Sequence, residues 1–398
     1  MNAKIAAYLG AIIPLLAVIG LVQEARAEDK PRVEIYGFVQ MDAIYDANKV
    51  DPNWASTLRP SKIPVNCPGG AGNDNGCGED GKTIMSVRQS RLGFKANAPT
   101  ELGELQTKFE FDMFGVGVDE GQTTVRLRHA YGELGDFLAG QTNSLFMDGD
   151  VFPNTIDYWG PTGMIFFRNI QMRWTPVHSD GMKFALALEG PGAAIDAGNA
   201  SNPDGWQSWN KYPDLTAQLR TDQAWGHAQV AGVVRWLGYQ NPNLTSYPGI
   251  TKTSGNVNGG GINLTGSFKT VGKDLLHVQL AYGNGIANYS NDCCVDVAPN
   301  AALNDAEAVP LLDWLVYYDH FWSPKWSSSI GYSQNVQDNT GGQAGSAQHR
   351  GDYASANLLY YPAKNVMVGG ELMSGVRENK DGKSATDNRV QFSAKYSF

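Results

Sequence analysis

The sequence has little of what marks a soluble enzyme or a helical membrane protein. Only 18% of its 398 residues are charged, it contains four cysteines and six histidines, and its formal net charge is −9. After residue 27 no segment approaches the roughly 18 apolar residues that a spanning helix needs. The acidic balance argues against nucleic acid as a partner. The sequence has no P-loop, nucleophile elbow or zinc-ligand spacing. We therefore expect no enzyme activity, no cofactor and no bound metal.

Glycine and aromatic residues are abundant instead. The chain has 46 Gly, 10 Trp, 17 Tyr and 15 Phe, without the apolar period of a helix. This composition is typical of an all-β protein with many turns and with aromatic girdles at a membrane interface. No linker or shift in composition divides the sequence, so one large domain over residues 28–398 is the simpler interpretation.

The first 27 residues have the features of a secretory signal peptide. Lys4 supplies the positive start, residues 5–22 are apolar, and Ala25, Arg26 and Ala27 form an A-x-A cleavage site. An exported chain that enters a membrane without an apolar helix must do so as a closed β-barrel, because lipid satisfies no backbone N–H or C=O group.

The last ten residues, 389–398, alternate polar and apolar side chains and end on Phe398. A period of two predicts a strand with one apolar face. A terminal strand that ends on an aromatic residue is typical of bacterial outer-membrane barrels, whose assembly machinery recognises the last Phe. We expect the outer membrane as the location, with its lipid and lipopolysaccharide as surroundings.

Connections between the predicted strands differ in length in a regular way. Seven are short, near 98–103, 135–136, 176–181, 221–223, 270–273, 322–325 and 361–364. Eight are variable, near 47–82, 115–121, 142–165, 190–211, 239–258, 285–306, 335–350 and 378–386. Fifteen connections join sixteen strands, and short turns at one rim with long loops at the other are typical of a transmembrane antiparallel β-barrel.

Within the strands one face is apolar and the other is polar or charged. In residues 106–113 the polar face carries Lys108, Glu110 and Asp112. If the apolar face meets lipid, the polar face borders a lumen, and sixteen strands leave that lumen wide enough for water and small solutes.

Basic residues recur on this predicted inner face. They are Arg91, Lys95, Arg126, Arg128 and Arg173. A low-dielectric wall would focus their field and concentrate anions. Alternatively, each arginine pairs with Glu110, Asp112 or Glu34 and only stiffens the wall.

The positions of Tyr131 and Arg88 depend on whether the two-residue alternation of the strands is strict. Alternation places Tyr131 on the outer face, opposite Arg126 and Arg128. It also gives Arg88 the wrong phase for the lumen unless a β-bulge intervenes.

The connection at 142–165 is long and carries four large aromatic residues together with Asp148, Asp150 and Asp157. Long loops in compact folds are commonly functional, so we expect this one to fold into the barrel as a constriction loop. Its aspartates would then face the arginines across the channel. The alternative is a lid on the solvent side that packs on itself.

Several sequence blocks resemble the DcaP-type porins of Gram-negative bacteria. They are residues 36–42 (YGFVQMD), 88–94 (RQSRLGF), 126–131 (RLRHAY), 139–146 (AGQTNSLF), 152–160 (FPNTIDYWG) and 170–176 (IQMRWTP). The resemblance implies a homotrimeric sixteen-stranded channel with an inward-folded third loop and a preference for dicarboxylates and related small anions. The basic pore residues of the family would correspond to Arg91, Arg126, Arg128 and Arg173.

The expected function is passive diffusion of small organic anions. A channel for neutral or aromatic solutes and a non-conducting adhesive barrel are the alternatives. Cys67 and Cys77 bracket a stretch rich in Pro, Gly and Asn, and we expect them to close a loop. Cys293 and Cys294 are adjacent, so either a vicinal disulfide or bonds to other loops are possible.

Overall fold

The computed structural model describes residues 30–65, 67, 79–115, 124–179, 181–200, 205–241 and 254–398. Sixteen antiparallel strands form a closed barrel, which confirms the predicted fold class. They are β1 (Arg32–Asp46), β2 (in two segments, Lys82–Ser86 and Arg91–Thr100), β3 (Gly103–Gly115), β4 (Thr124–Leu134), β5 (Phe137–Asn143), β6 (Arg168–Ser179), β7 (Met182–Glu189), β8 (Asp214–Gln223), β9 (Gly226–Gln240), β10 (Ser254–Lys269), β11 (Leu275–Asn284), β12 (Pro310–Ser323), β13 (Trp326–Gln337), β14 (Gln348–Tyr360), β15 (Val366–Asn379) and β16 (Ser384–Ser397).

Smaller elements lie in the connections. They are the 3-10 turns Pro52–Trp54, Pro60–Lys62, Gly149–Val151 and Ala287–Tyr289, the two-residue strand Gln207–Ser208, and the hairpin of Val297–Pro299 with Ala306–Ala308. Among the described residues, no helix is both long and apolar enough to cross a membrane.

The first and last strands close the barrel. β1 pairs with β2 on one side and with β16 on the other, where Phe38 lies opposite Ser397 and Asp46 opposite Arg389. The Phe398 N–H donates to the Gly37 carbonyl at 3.0 Å, and the Gly37 N–H donates to the Phe398 carbonyl at 3.1 Å. The alternating C-terminal segment is thus a wall strand, and no edge is left unpaired between β1 and β16.

Strand bounds agree with the predicted rhythm of short turns and long connections. Among the described residues the short turns lie at 101–102, 135–136, 224–225, 270–274, 324–325 and 361–365, and Gly181 belongs to the turn between β6 and β7. Gly135, with φ of +57°, occupies the tight turn between β4 and β5, where a side chain would be strained. The turn predicted at 221–223 is shifted to 224–225, because β8 stays paired with β9 as far as Gln223 and Gly226.

Side chains alternate between the two faces of the wall as predicted. In β1, Val39 and Met41 are 57% and 46% exposed, whereas Gln40 and Asp42, which alternate with them, are buried. The outer face is apolar because it meets lipid, and the inner polar groups are buried because loops and other side chains cover them.

Two irregularities change the phase of this alternation. A β-bulge lies where β3 pairs with β4, between Glu110 and Phe111, and Arg128 is the extra residue. Beyond it Tyr131 lies opposite inward-facing Lys108, so the placement of Tyr131 on the outer face was wrong. The break in β2 between its two segments likewise changes the phase and turns Arg88 inward, where it contacts groups inside the barrel.

Residues 144–167, here called the constriction loop, fold into the barrel as predicted. Phe146 is fully buried and packs with Ala231 and Val233 of β9 and with Ala281 of β11, all on the inner face. The backbone N–H of Ile156 donates to Glu371 of β15 at 2.8 Å. The alternative of a self-packed lid on the solvent side is therefore excluded.

The first long loop also enters the barrel, which the sequence did not predict; its described residues, 47–65, 67 and 79–81, are here called loop 1. Leu58 is fully buried and packs with Met164 of the constriction loop and with Tyr353 of β14. The two loops thus form one layer inside the barrel, and loop 1 fixes part of the constriction loop from the outer side.

Other predictions fall partly outside the described residues. The signal peptide, residues 1–27, lies outside them, as does Cys77. Cys67 is disulfide-bonded. Cys293 and Cys294 form a vicinal disulfide, so the first of the two possibilities left open for this pair is the one adopted.

Candidate functional site

Two arginines of β4 face two carboxylates of β3 on the inner wall. Arg126 binds Asp112 through both Nη2 and Nε, at 2.8 and 3.1 Å. Arg128 donates from Nε to Glu110 at 2.7 Å and from Nη1 to Asp112 at 2.8 Å. Cross-strand register explains the first pair, because Arg126 lies directly opposite Asp112. The bulge aims Arg128 between both acids.

Further cations share the same two carboxylates. Arg91 Nε lies 3.6 Å and Lys108 Nζ 3.4 Å from Glu110. Ion pairing with Glu110 and Asp112, the structural alternative considered for these arginines, therefore does occur. The cations nevertheless outnumber the acids, and Arg91 and Arg126 each keep 27% of the side chain exposed.

Arg168, at the first residue of β6, adds a charge that the sequence analysis did not assign to the lumen. Its guanidinium lies 4.7 Å from the ring of Phe166, close enough to Arg126 and Arg128 for their charges to act on it. Within the described part of the chain no carboxylate lies within 4 Å of it, and its Nη1 has no hydrogen-bond partner. The sequence did not predict its inward orientation because Arg168 lies at a loop–strand boundary, where the two-residue period is undefined. We call Arg91, Lys108, Arg126, Arg128 and Arg168 the basic wall.

Arg88 extends the basic wall towards loop 1. Its Nη2 donates to the Gly115 carbonyl at 2.7 Å, and its guanidinium lies 4.5 Å from the ring of Phe114. The bulge that was required to turn Arg88 inward is supplied by the break in β2.

Arg173 faces inward away from this cluster, whereas Lys95 lies directly opposite Lys108 of the basic wall on the neighbouring strand. Arg173 donates to Gln171 on its own strand at 2.8 and 3.0 Å and makes a further hydrogen bond to the Asn143 carbonyl. Lys95 lies 3.9 Å from Glu34, near the rim of short turns. Of the predicted basic residues, Arg91, Arg126 and Arg128 thus lie together around Glu110 and Asp112, Lys95 adjoins them, and Arg173 lies apart.

The aspartates of the constriction loop do not face the basic wall, so that expectation was wrong. Asp148 accepts hydrogen bonds from His227 at 2.9 Å and from Thr265 at 2.6 Å. Asp150 lies 2.7 Å from Arg220. These partners lie on β8, β9 and β10, because the loop runs along that part of the wall before it turns back.

Burial alone would raise the pKa of Asp148, but the hydrogen bonds from His227 and Thr265 outweigh it and lower the pKa below its usual value. The carboxylate therefore stays ionised and anchors the loop. It is not a counter-charge across the channel.

Asp157 is likewise an anchor. It accepts hydrogen bonds from the Thr57 hydroxyl at 2.9 Å, the Leu58 N–H at 3.2 Å and the Gly160 N–H at 3.1 Å. Complete burial raises the pKa of Asp157 to about 6, although these hydrogen bonds and the charge of Arg389 oppose the rise. It joins loop 1 to the constriction loop.

Tyr158 of the constriction loop reaches the centre of the basic wall. Its hydroxyl donates to Asp112 and accepts from Arg128 Nη1 at 3.0 Å. Its ring stacks on Phe114 with centroids 3.8 Å apart, and Arg126 lies 5.3 Å from its centroid. The loop and the wall therefore meet at an aromatic residue whose role the sequence did not indicate.

The structure also groups a serine, a histidine and an aspartate on β10, β11 and β12. Ser267 Oγ lies 2.6 Å from His277 Nδ1, and His277 Nε2 lies 3.3 Å from Asp319. The Ser267 hydroxyl donates to the Asp150 carbonyl at 2.8 Å, and Asp319 accepts from the Asn154 N–H. Because the hydroxyl is buried and engaged with the constriction loop, the trio holds the loop and presents no free nucleophile. No cluster with metal-ligand composition occurs among the described residues.

A sixteen-stranded barrel with apolar outer face, polar lumen and inward loop is the architecture of outer-membrane porins. The sequence profile of the DcaP outer membrane protein family matches residues 22–230, and the chain belongs to this family. It is therefore a channel protein of the outer membrane, and its relatives are porins and not enzymes. No curated protein sequence matches the chain significantly.

Solved structures agree with this assignment. The DcaP channel of Acinetobacter baumannii is similar with a TM-score of 0.77 and 24% identity, over 95% of this chain and 100% of that one. An anion-selective porin from Comamonas acidovorans has a TM-score of 0.56 and 10% identity, over 93% and 100%. OmpT of Vibrio cholerae, in its trimer form, has a TM-score of 0.55 and 14% identity, over 93% and 100%. At these identities the likeness concerns the fold.

Proposed function

We propose that the channel mediates passive diffusion of small organic anions, dicarboxylates among them. The observation that carries this proposal is the excess of positive charge at the constriction. Among the described residues, six cations, Arg88 and the five residues of the basic wall, surround two carboxylates, Glu110 and Asp112. The resulting field attracts anions and repels cations where the lumen is narrowed.

Guanidinium groups suit carboxylate solutes in particular. They are planar, always charged, and bind a carboxylate through two parallel hydrogen bonds. Arg91 and Arg126 are partly exposed and Arg168 lacks a carboxylate partner, so a dianion can contact two guanidinium groups in succession. Weak contacts at several points allow both entry and release.

The residues assigned to the lumen have different roles in this proposal. Arg91, Lys108, Arg126, Arg128 and Arg168 attract the solute at the constriction. Lys95 and Arg173 extend the positive surface beyond it. Glu110 and Asp112 hold the guanidinium groups in place, and Asp148, Asp150 and Asp157 fix the constriction loop.

A reversal-potential measurement on the purified channel in planar bilayers tests the proposal. In a gradient of potassium succinate, the wild-type channel should favour the anion, and Arg126→Gln should reduce that preference several-fold because one guanidinium at the constriction is lost. Lys364→Gln, a matched charge change in an exposed turn, should leave it unchanged. A cation preference of the wild-type channel, or equal potentials for wild type and Arg126→Gln, would refute the assignment.

The geometry gives less support to a channel for aromatic solutes. A path for such solutes along aromatic side chains needs rings exposed to the lumen, yet Phe146 is fully buried and Phe152 packs edge-on against Phe166. Liposome swelling with uncharged sugars separates the two functions, since an anion channel of this kind should favour succinate over a sugar of similar size. A non-conducting adhesive barrel would give neither swelling nor current.

We further propose a homotrimer, with the barrel inserted among outer-membrane lipid and lipopolysaccharide. Large apolar side chains cover the outer face, for example Ile170 and Met172 of β6, and they suit either lipid or a second subunit. In this proposal residues 1–27 direct export, and Phe398 is recognised by the assembly machinery. Chemical cross-linking of the purified protein should give bands up to the trimer.

A further inference from the structure

A second group of cations lies between loop 1 and the connection that carries the vicinal disulfide. There a cavity of about 390 Å³ is lined by Arg59, Ser61 and Lys62 on one side and by Cys293, Cys294 and Gln348 on others. A volume of this order is typical of pockets for small organic ligands. The cavity lies at the rim of long loops, which faces the cell exterior in barrels of this class.

Arg59 is held rigidly at the edge of this cavity. Its guanidinium is sandwiched between the rings of Trp54 and Trp159, at 4.1 and 4.0 Å from their centroids. Its Nε binds Asp292 at 2.7 Å. None of the described hydrogen bonds uses its two terminal nitrogens, so these donors are available to a ligand.

Asp292 attracts Lys62 through its charge but offers it no free hydrogen-bond acceptor. Its oxygens also accept from the Ser61 hydroxyl at 2.7 Å and from the Ser61 N–H at 2.9 Å, so its acceptor sites are already occupied. The other acid at the cavity, Asp196, accepts from the Gly198 N–H and from Gln343.

Lys62 makes no ion pair in the described part of the chain, although the charges of Asp292 and Asp51 act on it from a greater distance. None of the recorded ion pairs or side-chain hydrogen bonds involves its ammonium group, and Arg59 and Arg377 are its basic neighbours. Burial, together with the charge of Arg59, lowers the pKa of Lys62. A partly buried ammonium beside an open cavity is poorly solvated, and a bound anion would compensate for the lost hydration by pairing with its charge.

We propose that this cavity binds a small carboxylate with a compact apolar body on its way to the channel. The ammonium of Lys62 and the terminal nitrogens of Arg59 hold the carboxylate. The Cys293–Cys294 disulfide and Val295 offer the apolar surface against which its body packs. Trp159 contacts Arg59 and the preceding residue, Tyr158, contacts the basic wall, so one segment of the constriction loop borders both the cavity and the constriction.

Binding of benzoate to the full-length protein in detergent, measured by isothermal titration calorimetry, tests this site. Lys62→Gln should weaken binding about tenfold or more, because a hydrogen-bonded charge is lost. Lys62→Arg and Lys364→Gln should keep the wild-type affinity, and benzyl alcohol, the neutral analogue, should bind far more weakly than benzoate. Because the Lys62 side chain makes none of the described hydrogen bonds, Lys62→Gln should retain the wild-type melting temperature.

Arg126→Gln separates this site from the basic wall. Benzoate affinity unchanged in Arg126→Gln but lost in Lys62→Gln supports the cavity, even if the reversal potential showed no anion preference and the proposed channel function failed. Equal affinities of wild type and Lys62→Gln, or equal binding of benzyl alcohol and benzoate, would overturn the inference. So would loss of binding in Arg126→Gln with Lys62→Gln unaffected, since the ligand would then occupy the constriction.

Discussion

Arg168→Gln is the sharpest test of how the constriction selects solutes. Every other member of the basic wall lies within 4 Å of Glu110 or Asp112, whereas Arg168 has no described carboxylate partner and packs on Phe166. Its replacement therefore removes one positive charge without leaving a buried acid unpaired. Arg168→Lys keeps the charge and serves as the matched control.

The size of the effect follows from Coulomb's law. A unit charge at about 4 Å attracts a monoanion by about 1 kcal/mol in water, and a dianion by about twice that. Since about 1.4 kcal/mol corresponds to a factor of ten, Arg168→Gln should lower occupancy of the constriction about fivefold for chloride and about 25-fold for succinate. Screening should shrink both effects as salt rises from about 0.1 M to about 1 M, because the Debye length falls from about 10 Å to about 3 Å.

Single-channel reversal potentials and succinate block of the chloride current measure these ratios. Wild type and Arg168→Lys should have the same anion preference, and Arg168→Gln should have a much weaker one. The preference for succinate should fall more than that for chloride. If Arg168→Gln conducted like the wild type at low salt, or if chloride and succinate changed equally, the charge of Arg168 would not act on the permeating solute. The electrostatic account of the constriction would then be wrong.

Two further predictions concern attachment of the constriction loop. Tyr158→Phe removes the hydrogen bonds to Asp112 and Arg128 but keeps the stacking on Phe114. It should lower the free energy of unfolding by about 2 kcal/mol. Thermal melting in detergent should show a lower Tm, and bilayer recordings should show more open-channel noise. Because burial raises the pKa of Asp157 above its unfolded value of 3.8 to about 6, its contribution to stability is complete below about pH 4 and declines as the pH rises through 6. The melting temperature should fall across this window, and Asp157→Asn should flatten the profile; an identical slope in both proteins would contradict the assignment.

Strand number and location could be predicted because they depend on local patterns. A period of two, short turns and the aromatic end of the chain are each visible within about ten residues. The inward placement of Arg126 and Asp112 follows from the same period. Tyr131 was misplaced because one extra residue at a bulge reverses the phase, and composition gives no sign of that residue.

The path of the constriction loop could not be predicted for a different reason. Asp148 binds Thr265, which lies 117 residues further along the chain, and His227, which lies 79 residues further. Opposite charge suggested the arginines of β2, β4 and β6 as partners of these aspartates, but Arg220, His227 and Thr265 on another arc of the wall are closer. The entry of loop 1 was missed because its Pro-containing 3-10 turns, Pro52–Trp54 and Pro60–Lys62, have no periodic pattern.

Most attachments of the constriction loop lie on one side of the barrel. The wall therefore has one part that supports the loop and another part that stays open to the lumen. Polar side chains from β8 to β16 mostly grip loop backbone and loop aspartates, so mutations there should chiefly alter rigidity. In the proposed function, those on β2 to β4 and at the start of β6 contact the permeating solute. A protein engineer who wishes to retune this channel for another cargo therefore has a short stretch of sequence to vary, and can leave the scaffold that supports the loop untouched.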